Sequence, residues 1–196
     1  MENTNNDITL KTERLILRPW KADDAQALYQ YAKDPRVGPI TGWPVHTNVE
    51  NSRNIIVDVL MKEETYAIVP AGGKEPIGSI GLMIGEKSNI KIPANDGEIG
   101  FWIGVPYWGR GLVPEATLEL MRHGFEDIGL DTIWCGYFDG NEKSKRAQSK
   151  CGFKFHHTEE NIPWPLMNDI RTIHTTNITK EEWNERRSQN KGADVL

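Results

Sequence analysis

Apolar residues recur along this chain either at alternate positions or at helical spacing, and the switches between the two patterns divide it into elements. Thr12 to Arg18 (TERLILR) reads as a strand. Asp23 or Asp24 can cap a helix running to about Lys33, with Ala25, Leu28, Tyr29 and Ala32 along one side. Asp34-Pro35 stops it, because the residue before a proline is pushed out of the helical region. Arg36 to Thr47, with two prolines and two glycines, reads as a long loop. Asn48 then caps a second helix whose face carries Ile55, Ile56, Val59 and Leu60. Three strands follow: Thr65 to Val69, Ile77 to Ile84 beyond the Ala71-Gly72-Gly73-Lys74 turn, and Gly97 to Val105.

A third helix from Pro114 to about Ile128 places Leu112, Ala116, Leu120, Met121 and Phe125 on one side and ends at Gly129. Thr132 to Tyr137 is the fifth strand, Asn141 to Cys151 a helix stopped by Gly152, and Phe153 to Thr158 the sixth strand. A proline-rich loop holding Ile162-Pro163-Trp164-Pro165 precedes a last strand, Ile170 to Thr176. Thr179 caps a short helix containing Trp183. The order predicts an α/β (α+β) chain: a mixed sheet of about seven strands with helices on its faces. No linker composition divides it, so residues 10–187 read as one domain between polar tails at 1–9 and 188–196.

Composition narrows the partners more than the fold. The 196 residues suffice for a core without disulfides. A net charge of -5 offers no basic excess for nucleic acid and suits a cationic substrate such as an amine. Cys135 and Cys151 have neither metal nor disulfide spacing and read as buried free thiols. The opening MENTNNDITL is too polar for a signal peptide, and no apolar run is long enough for a membrane span, so a cytoplasmic location is expected.

The most informative stretch is GEIGFWIGVPYWGRGLVPEA, residues 97–116. A strand meets Pro106, then the turn Trp108-Gly109-Arg110-Gly111-Leu112-Val113, and Pro114 and Glu115 open a helix. Glycines let the backbone turn tightly and approach a ligand closely, and proline suits a first helical position. Free N–H groups at a helix N-terminus make an anion site, with a diphosphate as the expected occupant. The spacing does not fit a dinucleotide fingerprint, which needs a third glycine, and Gly72-Gly73-Lys74 lacks P-loop spacing.

The element order, together with local motifs, resembles the GNAT superfamily of acyl-CoA N-acyltransferases, and within it the RimJ/RimL branch of ribosomal-protein N-terminal acetyltransferases. The matching stretches are Thr12 to Arg18, Glu98 to Ile103 leading into Trp108 to Ala116, Asn141 to Ser144 ending at Lys150 to Phe153, and Thr179 to Trp183. The resemblance covers roughly Leu10 to Trp183. It implies a mostly antiparallel sheet with a splay between the fourth and fifth strands. It implies acetyl-CoA as acyl donor, CoA as product, and a primary amine as acceptor. That acceptor would be a protein or peptide N-terminus; antibiotics, polyamines or other small metabolites, and a non-catalytic acyl-CoA sensor, are the alternatives, because fold does not set substrate. Relatives in this branch are often dimers, which leaves monomer and homodimer both open.

Two departures stand out. Trp108 and Val113 occupy the first and last positions of the superfamily turn pattern, where backbone contacts tolerate the change. The position of a frequent tyrosine acid is Gln148, which cannot donate a proton as tyrosine does; the resemblance passes that role to Ser144. By the same resemblance Phe101, Trp102 and Ile103 pair through their backbones with the pantetheine arm, and an N–H there polarises the thioester carbonyl. Core packing on alternate faces is the other reading of Phe101 and Trp102. Trp108, Gly109, Arg110, Gly111, Leu112, Val113 and Pro114 form the phosphate anchor.

Asn141, Ser144 and Gln148 share one helix face. Asn141 is either an N-cap or a direct cofactor contact; Ser144 is either a donor to the leaving thiolate or an ordinary first-turn serine. Glu98 is either the base for the amine or a solvated strand-end carboxylate. An α-amine, with a pKa near 7.7–8.0 against ~10.4 for lysine, needs much less help from a base. His156 and His157 would point to opposite faces of a strand and make no metal site. His46 and His174 fall near the expected acceptor groove, which the loops carrying Trp43 and Trp164 should flank; Trp164 is alternatively a subunit contact.

Overall fold

The computed structural model describes residues 8–193, with side chains described through residue 189. Eight strands form one sheet: β1 (Leu10–Lys11), β2 (Leu15–Pro19), β3 (Thr65–Pro70), β4 (Gly78–Ile84), β5 (Gly97–Ile103), β6 (Thr132–Phe138), β7 (Lys154–Trp164) and β8 (Asp169–Thr179). Their spatial order is β1-β2-β3-β4-β5-β6-β8-β7. Every neighbouring pair is antiparallel except β5 and β6.

Helices cover both faces, which is why β3 buries four consecutive residues, Tyr66 to Val69, rather than alternate ones. On one face α4 (Leu112–Arg122) packs Ala116, Leu120 and Met121, with Phe125 from the wide helical turn that follows, over Leu15, Leu17, Ile68, Ile80, Ile99 and Ile133. On the other, α1 (Ala25–Ala32), the short α2 (Gly38–Thr41) and α3 (Val49–Ile55) lie over Ala67 and Val69 through Leu28, Ala32, Trp43 and Ile56. α5 (Glu142–Cys151) and α6 (Lys180–Ala193) complete the helical set.

The caps expected at Asn48 and Thr179 form, whereas Asp24 makes no side-chain cap on α1 and gives its carboxylate to Arg18 and the Lys21 N–H. Asn48 Oδ1 accepts the Asn51 N–H at 2.7 Å. Thr179 and Glu182 bond each other's backbone N–H reciprocally, at 3.3 and 3.0 Å. Helix α6 runs well beyond Trp183 and takes in residues 188–193, while residues 1–7 and 194–196 of the expected tails lie outside the described residues.

Four readings need correction. The strand expected over Thr12 to Arg18 is a hairpin: Thr12 Oγ1 accepts the Leu15 N–H at 3.0 Å, and β1 folds back on β2. Within the expected loop of residues 36–47, Pro39 stands at the start of α2. The expected proline-rich loop is mostly strand. Pro163 pairs with Ile170 on the edge strand β7, where a missing N–H costs no ladder bond, and bulges absorb the irregularity. A bulge between Phe155 and His157 also defeats strict alternation, so His156 and His157 bring their Nδ1 atoms to 2.7 Å instead of facing apart.

Candidate active site

The parallel ladder between β5 and β6 holds only at Gly97–Ile133 and Glu98–Trp134, after which the strands part. These two strands are the fourth and fifth of the sequence reading, displaced in number by the extra β1. The bond from the Gly104 N–H to the Ile77 carbonyl, 2.8 Å, sets the alternation along β5. It turns the peptide groups of Glu98, Gly100 and Trp102 toward β4, and those of Ile99, Phe101 and Ile103 into the gap. Of the three residues expected to meet the cofactor arm, Phe101 and Ile103 therefore offer backbone to the gap, and Trp102 does not. The side chains of Phe101 and Trp102 do pack on opposite faces: Phe101 against the α4 core, Trp102 edge-on to Trp43 at 5.7 Å between ring centres. The Ile103 carbonyl is already taken by Trp108 Nε1 at 2.8 Å.

Beyond β5 the chain turns through Gly109 and Gly111, both left-handed at φ 73° and 74°, and enters α4 with no side-chain cap. Among the described residues, no protein acceptor takes the N–H of Gly109, Arg110, Gly111, Leu112 or Val113. These donors converge where the helix dipole is positive. A Cβ built on Gly109 would meet nothing within 4 Å, so the space beside this residue is open. Unpaired N–H groups of this kind have the chemistry to receive an anion such as a diphosphate.

Cations gather around the turn despite the acidic chain. Lys143 Nζ lies 4.5 Å from the centre of the Trp108 ring, and the Arg110 guanidinium 5.5 Å from that of Tyr107. Glu115, at the start of α4, is neutralised by Arg14, whose Nε reaches it at 2.6 Å and whose Nη1 also holds the Arg110 carbonyl at 3.1 Å. Burial alone would raise the Glu115 pKa; the Thr12 hydroxyl and the Arg14 donors outweigh it and hold the carboxyl below the usual range.

Across the gap, α5 begins at Asn141. Its Oδ1 accepts the Ser144 N–H at 3.1 Å and its Nδ2 donates to the Ile40 carbonyl at 3.3 Å, so it is an N-cap that also ties down α2. Ser144 Oγ accepts from Gln148 Nε2 at 3.0 Å. The same nitrogen donates to the Gly136 carbonyl at 3.0 Å, which binds the helix face to the parted strand β6.

Glu98 stands where β5 and β6 separate and is only 7% exposed, so the solvated-carboxylate reading falls. Its Oε2 accepts from the Ser88 hydroxyl at 2.8 Å and the Asn89 N–H at 2.7 Å. Burial pushes its pKa up and these donors only partly offset the shift, which favours a carboxyl able to hold a proton.

The two expected groove loops meet directly. Trp164 Nε1 donates to the Gly42 carbonyl at 2.7 Å and Arg171 Nη1 to the Pro39 carbonyl at 2.9 Å, so Trp164 is anchored within its own chain. Phe138 lies between them, edge-on to Trp164 and 4.4 Å beneath the Arg171 guanidinium. His46 is buried against Ser52 Oγ at 2.8 Å, and His174 bridges Thr158 and Asp139 at 2.8 and 3.0 Å.

Cys135 and Cys151 are buried free thiols with pKa values raised by burial, Cys151 to about 12. Among the described residues no cluster of histidine, cysteine or carboxylate side chains suits a metal, and no helix is long and apolar enough to cross a membrane. Sequence reasoning missed Ser88, Asn89, Arg171 and Thr176. The first two lie in a loop without periodicity, and the last two act through contacts distant in sequence.

Comparison with known proteins agrees with this geometry. A model of the acetyltransferase (GNAT) domain matches residues 14–154. An uncharacterized N-acetyltransferase, p20, of Bacillus licheniformis is 32% identical over 130 residues, 64% of this chain and 70% of that protein. The uncharacterized N-acetyltransferase YoaA of Bacillus subtilis is 28% identical over 174 residues, 86% of this chain and 93% of that protein. A GNAT-family acetyltransferase from Bacillus anthracis superposes with a TM-score of 0.75 at 22% identity, over 89% of this chain and all (100%) of that one. The ribosomal-protein-S5-alanine acetyltransferase of Vibrio fischeri superposes with a TM-score of 0.69 at 19% identity, over 90% of this chain and 99% of that one.

Proposed function

Since the chain belongs to the GNAT acetyltransferase family, we propose that it moves an acetyl group from acetyl-CoA to the α-amine of a protein or peptide N-terminus, by direct attack in a ternary complex. The observation that carries this reading is the placement of the free N–H groups of Gly109 to Val113 at the open end of the gap between β5 and β6, with Glu98 where the gap closes. Bound there, acetyl-CoA supplies an acetyl group on a thiol leaving group: a C–N bond forms to the amine as the C–S bond breaks.

The chain's own residues take the remaining roles. The Gly109 to Val113 amides, with Arg110 and Lys143 beside them, hold the phosphates. The gap-facing amides of Phe101 and Ile103 hold the pantetheine arm and the acyl oxygen. Glu98 accepts the proton the amine loses, directly or through water. The Ser144 hydroxyl donates a hydrogen bond to the departing sulfur. An alcohol is a weaker acid than a thiol, so that proton stays on serine and CoA takes its own from solvent. The likeness to a ribosomal-protein-S5-alanine acetyltransferase, that of Vibrio fischeri, favours an N-terminal acceptor and the RimJ/RimL branch.

Free-thiol release from acetyl-CoA tests the reading against three panels: peptides with free N-termini, the same peptides N-terminally blocked but carrying lysine, and small polyamines or aminoglycosides. Turnover confined to the free N-termini is expected. Turnover confined to the small amines overturns the acceptor class; CoA binding without turnover in any panel overturns the enzyme reading in favour of a sensor.

A further inference from the structure

Gln148 stands where a proton-donating tyrosine would be expected, and it cannot replace one. It is nevertheless 1% exposed, and both ends of its amide are engaged. Nε2 lies 3.0 Å from the Gly136 carbonyl and 3.0 Å from Ser144 Oγ; Oε1 lies 2.8 Å from Thr176 Oγ1, which also lies 3.1 Å from the Cys135 carbonyl. The surroundings permit one orientation of this amide. A carbonyl oxygen only accepts, so the atom facing Gly136 must be the nitrogen. One of its two hydrogens goes to Gly136 and the other to Ser144.

The consequence falls on serine. With Oγ accepting from Gln148, the Ser144 hydroxyl hydrogen has no partner among the described residues and is free to point away from the helix. A serine left alone can rotate, accept or donate, and often bonds back to its own helix. We infer that Gln148 is a positioning residue that makes Ser144 a dedicated hydrogen-bond donor to the leaving sulfur, with the Gly136 carbonyl fixing which end of the amide faces it and Thr176 partnering the other end. This rests on the proposed role of Ser144 and adds the reason a weak donor suffices: it is preorganised.

Two substitutions separate orientation from space-filling. Gln148→Met keeps a chain of similar length and leaves Ser144 unoriented. Gln148→Glu keeps the shape and reverses the bond. As a carboxylate, the glutamate can only accept. As the neutral acid, it has one hydrogen, which the Gly136 carbonyl takes, so Ser144 must in either state donate back to it. A residue that merely filled space would tolerate glutamate better than methionine; an orienting one would not. Ser144→Ala and the double variant Ser144→Ala/Gln148→Met complete a cycle.

The assay is kcat at saturating acetyl-CoA and acceptor peptide, with CoA affinity by calorimetry and melting temperature for each variant. Ser144→Ala should lose roughly tenfold or more in kcat, up to the ~10²–10³ lost with a preorganised hydrogen-bond donor, with CoA affinity within about twofold of the parent. Gln148→Met should fall between the parent and Ser144→Ala, Gln148→Glu at or near Ser144→Ala, and the double variant no lower than Ser144→Ala alone. If Ser144→Ala turns over at the parental rate, the role of Ser144 itself fails. If Ser144→Ala is impaired while Gln148→Met and Gln148→Glu are not, or the two losses multiply in the double variant, Gln148 does not act through Ser144 and the inference is overturned. Should Gln148→Glu not fold, Thr176→Val takes its place: it removes the hydroxyl partner of Gln148 Oε1, loosens the amide and should lower kcat in the parent, but not in Ser144→Ala.

Discussion

Replacing Gly111 by alanine separates the anion-binding turn from ordinary turn chemistry, because Gly72 supplies a matched control. Gly111 sits at φ 74° and Gly72 at φ 78°. A Cβ at Gly72 meets nothing within 4 Å, and one at Gly111 meets only the mobile guanidinium of Arg14, at 3.6 Å. Neither change creates a clash, so each carries the left-handed penalty alone, about 1–2 kcal/mol. At ~2–4 °C per kcal/mol for a chain of this size, each variant should melt below the parent by whatever part of that penalty its turn does not relax. Their binding should then diverge. Without a side-chain cap, the free Gly111→Ala turn can relax by rotating its peptide groups; CoA must restore the strained form. Affinity should fall by the part of the penalty that this relaxation removes from the free protein, up to about 1–2 kcal/mol, a factor of roughly 5–30. Gly72→Ala relaxes in a hairpin that holds no ligand and should bind CoA as the parent does. Urea unfolding and calorimetric titration with CoA measure both quantities on both variants. If Gly111→Ala binds CoA within twofold of Gly72→Ala and melts at or near the parent temperature, the diphosphate is not held by this turn.

Two further outcomes follow from the buried ionisable groups. Glu98, raised above the usual carboxylate range chiefly by burial, must be unprotonated to accept a proton, so kcat should fall as pH drops through its pKa. Glu98→Gln should remove that limb, cost roughly 10²-fold in rate and leave CoA affinity intact; an unchanged rate and profile would end the base assignment. His123 is buried between Glu64 at 3.1 Å and Asp127 at 2.8 Å, and the Glu64 bond, then Asp127, raise its pKa against the opposing effect of burial. Its contribution to stability is thus fully present below about pH 6.5 and lost as pH rises through the folded value. Urea midpoints should drop between pH 6 and 9 more steeply for the parent than for His123→Gln, and equal slopes would refute the pairing.

Local chemistry was legible wherever it is written in adjacent residues. The Gly109–Gly111 turn, the Asn48 and Thr179 caps and the helix ending at Gly129 all depend on neighbours within one turn of chain, and the structure contains each of them. Boundaries failed where long-range pairing overrode local signals. Pro163 looked like a loop residue because a central strand could not hold it; only the position of β7 at the sheet edge makes it acceptable. The alternation of His156 and His157 was broken by a bulge that no periodicity reveals. Within the site, the helix face carrying Asn141, Ser144 and Gln148 was visible from spacing. The partners of the Gln148 amide were not, because Gly136 and Thr176 lie 12 and 28 residues away in sequence.

The acceptor class bears on how much the remaining machinery must do. An α-amine near pKa 7.7–8.0 is substantially unprotonated at pH 7.5, whereas lysine near ~10.4 is about 0.1% so. Accepting lysine would require the site to supply roughly 3–4 kcal/mol more to free the nucleophile, at 1.36 kcal/mol per pKa unit. At the point where β5 and β6 part, the carboxylate on hand is Glu98, already bonded to Ser88 and Asn89. Such a group can take a proton when the amine is already about a quarter to two-fifths free. It is poorly suited to stripping one from an ammonium that holds it tightly. The roles proposed at the leaving side carry the same restraint: Ser144, oriented by the Gln148 amide, would donate a hydrogen bond rather than a proton. Both ends of the site thus match a reaction whose nucleophile arrives ready and whose leaving group departs as a stable thiolate. That is the chemical situation of an N-terminal amine meeting a thioester.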